Sequence, residues 1–274
     1  MHLHWPGDPP GAAALREWVQ RSADAVAAWY GTFPVRTVDL RFAPAPGRGL
    51  HGAVTYGGQA PHIDGRVGRD SDLQRDLLGD WVLVHELVHL ALPDVPGPHR
   101  WLEEGLATYV EPWVRVAAGQ LDLAKAWRDL VDGLPQGLPG PGDQGLDRTA
   151  TWGRTYWGGA LFCLLGDLEI RRRTADRAGL QHALRGVLAA GGSLHVTWPI
   201  EQVLATADAA TGTTALTDLW AAQRDTPVLT DLEALWRALG VVREGRSVRF
   251  DDTAPLAARR RAIAAGPTAR APSR

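Results

Sequence analysis

The chain has 274 residues, 22% of them charged and 45% hydrophobic, with a formal net charge of -2; this excludes a disordered, collagenous or coiled-coil protein and argues against a nucleic-acid binder, which normally shows a basic face. The single Cys163 excludes an intramolecular disulfide framework and a zinc site of several thiolates, so any metal must be held by histidine and carboxylate. No run approaches the roughly 20 apolar residues of a membrane span, and the first residues show neither the basic region nor the apolar core of a secretory signal, so the expected location is cytoplasmic, with no membrane association.

Residues 12–30 place Leu15, Trp18, Val19, Ala25, Val26 and Trp29 near helical spacing and predict an amphipathic helix that Gly31 stops. Residues 35–42 and 51–56 alternate apolar and polar side chains and predict strands. The segment 57–65, punctuated at both ends by glycine, predicts a turn and a short strand, with Pro61 suited to a sheet edge. From Asp72 to Leu92 the pattern turns helical, with Leu78, Trp81, Val82, Val88 and Leu92 tracking one side. Pro93, Pro96 and Pro98 then break the chain. A second helix is expected from about Arg100 past Val110, kinked or ended by Pro112, and a third over 121–130. After a Gly/Pro-rich loop at 133–145, the segments 152–173, 180–190, 200–210, 216–222 and 232–239 all carry helical patterns. Residues 243–250 predict a strand or hairpin, and 266–274 a frayed tail.

The chemistry is concentrated in His85-Glu86-Leu87-Val88-His89, within the first of the central helices. Four residues turn a helix by about 400°, so both imidazoles emerge on one face, about 6 Å apart along the axis, and can share one Zn²⁺. Glu86 stands beside them to act on a bound water. A catalytic zinc needs a third protein ligand, and His99, Glu103, Glu104 and Glu111 are the downstream candidates. The metzincin extension would require glycine where Leu92 stands and histidine where Val95 stands, and its methionine turn has no counterpart after Met1.

The segment Trp101-Leu102-Glu103-Glu104-Gly105-Leu106-Ala107-Thr108-Tyr109 offers a glutamate from a second helix. Here the sequence resembles the gluzincin metallopeptidases, nearest to the catalytic domain of the glycyl aminopeptidase branch. Their Trp-Leu-x-Glu-Gly-x-Ala pattern implies Glu104 as the third ligand, with Glu103 at a variable, solvated position. Glu111 falls nearly on the side of the helix that carries Glu104 and could stand behind the ligands. His99 reads as an exposed loop histidine. The interval from His89 to Glu104 is shorter than in the aminopeptidase families, which a shortened connection over 91–100 can absorb.

A second resemblance lies in Thr155-Tyr156-Trp157-Gly158-Gly159 and its continuation to Arg171. It is similar to the Tyr-x-x-Gly helix of the same families and implies that the Tyr156 hydroxyl stabilises the tetrahedral intermediate. Those aminopeptidases also hold the substrate amine with a glutamate on a Gly-rich edge strand. The matching segment is Gly57-Gly58-Gln59, where an amide replaces the carboxylate, so these residues are expected at most to line the substrate. The runs Arg171 to Arg173 and Arg259 to Arg261 read as helix-end cations, the twelve tryptophans as core fillers, and Cys163 as buried and inert.

The expected fold class is α+β: a thermolysin-like zincin catalytic domain spanning 1–274, with a mixed α/β N-lobe over about 1–118, a mostly helical C-lobe over about 119–265, and the cleft between them. The expected function is zinc-dependent peptide hydrolysis, with one catalytic Zn²⁺ on His85, His89 and Glu104, Glu86 activating a zinc-bound water, Tyr156 stabilising the oxyanion, and a peptide or protein as substrate. The alternative is a catalytically silent binding domain that keeps the fold and the metal.

Overall fold

The computed structural model describes residues 1–4, 12–72, 76–77 and 79–266. Four strands form one mixed sheet: β1 (His2–His4), β2 (Asp39–Ala45), β3 (Leu50–Tyr56) and β4 (His62–Gly68), in the order β1-β2-β4-β3. β1 and β4 run parallel to β2, whereas β3 pairs antiparallel with β4 and forms an outer edge. The first helix, α1 (Ala12–Tyr30), covers one face of the sheet, with Trp18 against Phe42 at 5.9 Å between ring centroids. Leu40, Ile63 and Val67 from the strands and Val26 from α1 are fully buried there.

Two helices carry the sequence motifs, α2 (Val82–His89) and α3 (Arg100–Ala117). The remainder is helical apart from one hairpin: α4 (Leu123–Gly133), a 3₁₀ turn at Leu134–Gly137, a π-helical segment at Arg154–Gly158 that runs directly into α5 (Gly159–Arg173), then α6 (Leu180–Ala189), α7 (Ile200–Thr211), α8 (Ala215–Gln223), α9 (Leu232–Leu239), β5 (Val241–Glu244), β6 (Ser247–Phe250) and α10 (Ala257–Ala265). α5 is buried on nearly every side, as expected of a helix that other helices surround. The fold is α+β, a small mixed sheet followed by helices.

Several local expectations change. The strand expected from residue 35 starts at Asp39, although Val35 and Val38 are already buried. The strand after Pro61 lies inside the sheet, between β2 and β3, and the edge is β3. Pro61 is harmless there because it precedes β4 and contributes only its carbonyl, which accepts from Asp39 N at 3.2 Å. Within the helical stretch expected over 72–92, Asp76 and Leu77 are helical and Val82–His89 forms a regular helix, whose start the Asp80 carboxylate fixes by accepting from the free N–H groups of Val82 and Leu83, at 2.9 and 3.3 Å. Leu78 and the tail 267–274 lie outside the described residues. Pro112 does not end α3, which continues to Ala117. Strand β1 and helix α10 had no clear signal, being too short or too alanine- and arginine-rich to show an apolar period.

Among the described residues no helix is long and apolar enough to cross a membrane. The arginine runs are spent on internal partners: Arg171 on Asp167, Arg172 and Arg173 on Glu169, Arg259 on Asp176, and Arg261 on Asp252. Cys163 is buried, and burial pushes its thiol well up.

Candidate metal centre

α2 displays His85 and His89 one turn apart, with ring centroids 4.9 Å from each other. α3 packs against α2 and presents Glu104 to the same point. The Glu104 Oε2 atom lies 3.4 Å from His85 Nε2 and 3.5 Å from His89 Nε2, and among the described residues these three alone gather ligand atoms within 4.8 Å of one another. Such separations are long for N–H···O hydrogen bonds, which centre near 2.9 to 3.0 Å. They match the spacing of about 3.3 Å between neighbouring ligand atoms arranged tetrahedrally around zinc at about 2.0 to 2.1 Å. Two imidazole nitrogens and one carboxylate oxygen are also the donor set of a zinc site with one position left open, so the residues fit Zn²⁺.

The electrostatics agree. Burial alone would raise the Glu104 carboxyl, but the two histidines outweigh it and hold the group well below the usual carboxylate range. Burial lowers His85; in His89 burial acts the same way but is overcome by Glu104 and Glu86, and the net shift is upward. The second Glu104 oxygen, Oε1, accepts from Arg100 Nε at 3.3 Å and from Nη2 at 3.1 Å. That contact fixes which oxygen faces the histidines. Arg100 precedes Glu104 by four positions on one helix, a spacing that could have identified it.

Glu86 is buried beside the histidines. The Thr55 hydroxyl, from edge strand β3, reaches Glu86 Oε2 at 2.5 Å and the Glu86 carbonyl at 3.0 Å. No local pattern marks Thr55, which sits 31 positions earlier in the chain. Tyr156 lines the same cleft from the π-helical segment, its ring centroid 6.5 Å from that of His85. Burial first and the Glu104 charge second raise its phenol above the ordinary value, so the hydroxyl keeps its proton at neutral pH. Wide helical turns of this kind often occur at functional positions.

The other candidates fall elsewhere. His99 faces Asp147, with Nδ1 3.2 Å from Oδ1, and the same carboxylate accepts from the indole N–H groups of Trp101 and Trp220 at 2.8 and 3.0 Å. Glu103 is not a solvated helix residue: its Oε1 accepts from Val95 N at 2.9 Å. That bond pins the proline-rich connection, which is also tied to a later segment through Asp94 N to Val196 O and Trp198 N to Asp94 O. The short interval between the histidine helix and Glu104 is thereby held in place. Glu111 is buried and paired with Arg115 at 2.8 Å.

The centre opens into a cleft of about 660 Å³ walled by β3 residues Gly52 to Thr55, by Gly57, and by Arg100 and Leu194. Of the three β-turn residues singled out in the sequence, Gly57 lines this cleft. Gly58 donates its N–H to Leu194 O at 2.9 Å, and Gln59 is exposed. Edge strand β3 itself supplies one wall, through Leu50 and Gly52 to Thr55.

Compared with solved structures, the chain matches an aminopeptidase N family protein from Idiomarina loihiensis with a TM-score of 0.64 and 14% identity, over 88% of this chain and 47% of that one. It also matches a mutant M1 zinc metallopeptidase from Deinococcus radiodurans bound to a Tyr-Ser-Ala substrate, with a TM-score of 0.51 and 17% identity, over 82% of this chain and 46% of that one. The chain therefore spans about half the length of these proteins, and at such identities the likeness is one of fold. No protein-family model matches the sequence, and no curated protein matches it.

Proposed function

We propose that the chain is a zinc-dependent peptidase built as one catalytic domain. The observation that carries this reading is the convergence of His85 Nε2, His89 Nε2 and Glu104 Oε2 at ligand spacing, with Glu86 and Tyr156 lining the same cleft. The fold shared with an aminopeptidase N family protein and an M1 zinc metallopeptidase supports it.

His85, His89 and Glu104 would hold the ion. When bound, Zn²⁺ supplies Lewis acidity, bringing the pKa of a coordinated water toward about 7 and polarising the carbonyl to be attacked. Glu86, oriented by Thr55, accepts the proton of the attacking water and delivers it to the departing amine. Tyr156, kept protonated, donates its hydroxyl to the oxygen on which negative charge develops. β3 lies along the cleft with an unpaired edge, suited to hold a peptide in extended form.

No carboxylate stands at Gln59, and Gln59 does not line the cleft, whereas Asp80, Asp94 and Glu103 do; free and blocked peptides are therefore compared as substrates. The test is zinc content together with cleavage of paired free and N-acetylated peptides. One zinc per chain with chelator-sensitive cleavage is expected. A protein that retains zinc yet cleaves no peptide would instead be the silent binding domain, and one that takes up no zinc would overturn both readings.

A further inference from the structure

Beside the metal centre lies a second cavity of about 650 Å³. It adjoins the cleft, and Trp81, His85 and Tyr156 line both. Four aromatic residues wall it: Trp81, Trp152, Tyr156 and Trp157. Trp81 and Trp152 are 52% and 61% exposed, although tryptophan is highly buried on average. Both rings are nevertheless braced, Trp81 edge-on to His85 at 5.5 Å and Trp152 stacked on Tyr156 at 5.6 Å. Trp157 lies over Gly133, where any side chain would overlap its ring; the glycine thus lets the ring lie flat against α4.

The charged groups around this cavity are already matched. Glu111 pairs with Arg115, Asp129 with Lys125, and Asp132 with Arg128 and Arg243. Each of these carboxylates has a cationic partner, and of the Arg115 guanidinium the Nε alone is without a hydrogen-bond acceptor. What remains for selection is aromatic surface, which favours offset or edge-on contacts with another ring.

Resting on the peptidase reading above, we propose that this cavity receives a bulky aromatic side chain next to the bond to be cleaved, with Trp152 as the main discriminating residue. An aromatic side chain entering past His85 meets rings on several sides and covers the two tryptophans now left in water. A lysine or glutamate side chain would lose its hydration among carboxylates and cations that are already paired with one another.

The experiment uses the zinc-loaded full chain and peptide hydroxamates identical except for one side chain: benzyl, methyl, aminobutyl or carboxyethyl. Calorimetry gives the affinities, and matching peptides give cleavage rates. The benzyl compound is expected to bind at least about tenfold more tightly than each of the others, with Trp152→Ala lowering the benzyl-to-methyl ratio to within about threefold of unity and Trp152→Phe restoring most of it, as an aromatic wall requires. The exposure of Trp152 makes its substitutions safe for folding. Equal affinities, preference for a charged side chain, or an unchanged ratio in Trp152→Ala overturns the proposal. Cleavage without aromatic preference removes this pocket but leaves the peptidase standing. Selective binding without any cleavage does the reverse, and failure of every hydroxamate to bind overturns both.

Discussion

Gly105 and Gly159 meet where α3 crosses α5, and neither has room for a side chain. A Cβ on Gly105 would overlap the backbone of Gly159, and one on Gly159 would overlap the Trp101 carbonyl. The contact matters because Glu104 immediately precedes one glycine and Tyr156 lies three positions before the other. Backbone-to-backbone approach of the two helices therefore sets the distance between the proposed ligand and the proposed oxyanion donor.

In an open helix, glycine to alanine stabilises by up to about 1 kcal/mol. Here the sign should reverse. Gly105→Ala and Gly159→Ala are each expected to destabilise by about 1 to 3 kcal/mol, as overpacking does, and to weaken zinc binding together with activity. Thermal unfolding and a zinc titration check both. A more stable Gly105→Ala protein with intact zinc affinity would contradict the close crossing.

The proposed roles of Glu86 and Glu104 separate cleanly. Glu86→Gln is expected to keep one zinc per chain and lose hydrolysis by at least about a hundredfold, the scale of a general-base contribution. Glu104→Ala is expected to lose zinc as isolated. Metal analysis alongside peptide cleavage reads both effects, and loss of zinc from Glu86→Gln would place that side chain among the ligands instead.

Thr55 gives a test of orientation. Its hydroxyl holds the Glu86 carboxylate from another element, at 2.5 Å. Thr55→Val retains the shape but not the donor, and kcat should fall about tenfold, the effect of one lost charge-assisted hydrogen bond. Zinc affinity should stay put. Thr55→Ser, which restores a hydroxyl, is expected to recover most of the rate.

Asp147 accepts hydrogen bonds from the indoles of two buried tryptophans, Trp101 and Trp220, and faces His99. Replacing it by alanine strands those donors, and each unsatisfied buried group costs about 1 to 3 kcal/mol. Asp147→Ala should therefore lose about 2 to 5 kcal/mol in urea unfolding. Asp147→Asn keeps an acceptor and should lose less.

Glu111 supplies a pH test. Burial, only partly offset by Arg115, raises its carboxyl from 4.5 to about 7. A folded-state value above the unfolded one means that the folded protein binds the proton more tightly, so the stabilisation is fully present below about pH 4.5 and is lost as pH rises through about 7. Wild type should thus lose about 3 kcal/mol relative to Glu111→Gln over that window, measured as the difference in unfolding free energy at several pH values. A difference of the opposite sign would mean that attraction to Arg115 dominates burial.

Some of this was legible in residue order alone. α1 agrees in extent with the apolar spacing from Leu15 to Trp29, because a helix face is written in consecutive residues. His85 and His89 share a face for the same reason, and the segment around Glu104 follows on its own helix. Lack of internal methionine and the lone cysteine confined the donors to nitrogen and oxygen before any fold was known.

Where the sequence misled, a distant partner intervened. Glu103 read as solvated because nothing in α3 shows that the proline-rich connection folds back to present Val95 N. His99 is a loop residue as expected, but it read as exposed because Asp147, which it faces, lies 48 positions away. β4 read as an edge because Pro61 carries no information about which strands will flank it. Trp81 and Trp152 read as core, yet both border the cavity beside the metal centre.

The sequence by itself thus determined which side chains could carry the chemistry and which of them lay on common helix faces, since periodicity is a local property of the backbone. Only the tertiary structure decided that Glu104 meets His85 and His89, that Thr55 and Tyr156 line the same cleft from distant elements, and that a ring-lined cavity lies beside them. Those relations depend on how closely α3 and α5 can pack and on which strand is left at the sheet edge, and both are settled only when residues far apart in the chain exclude water together.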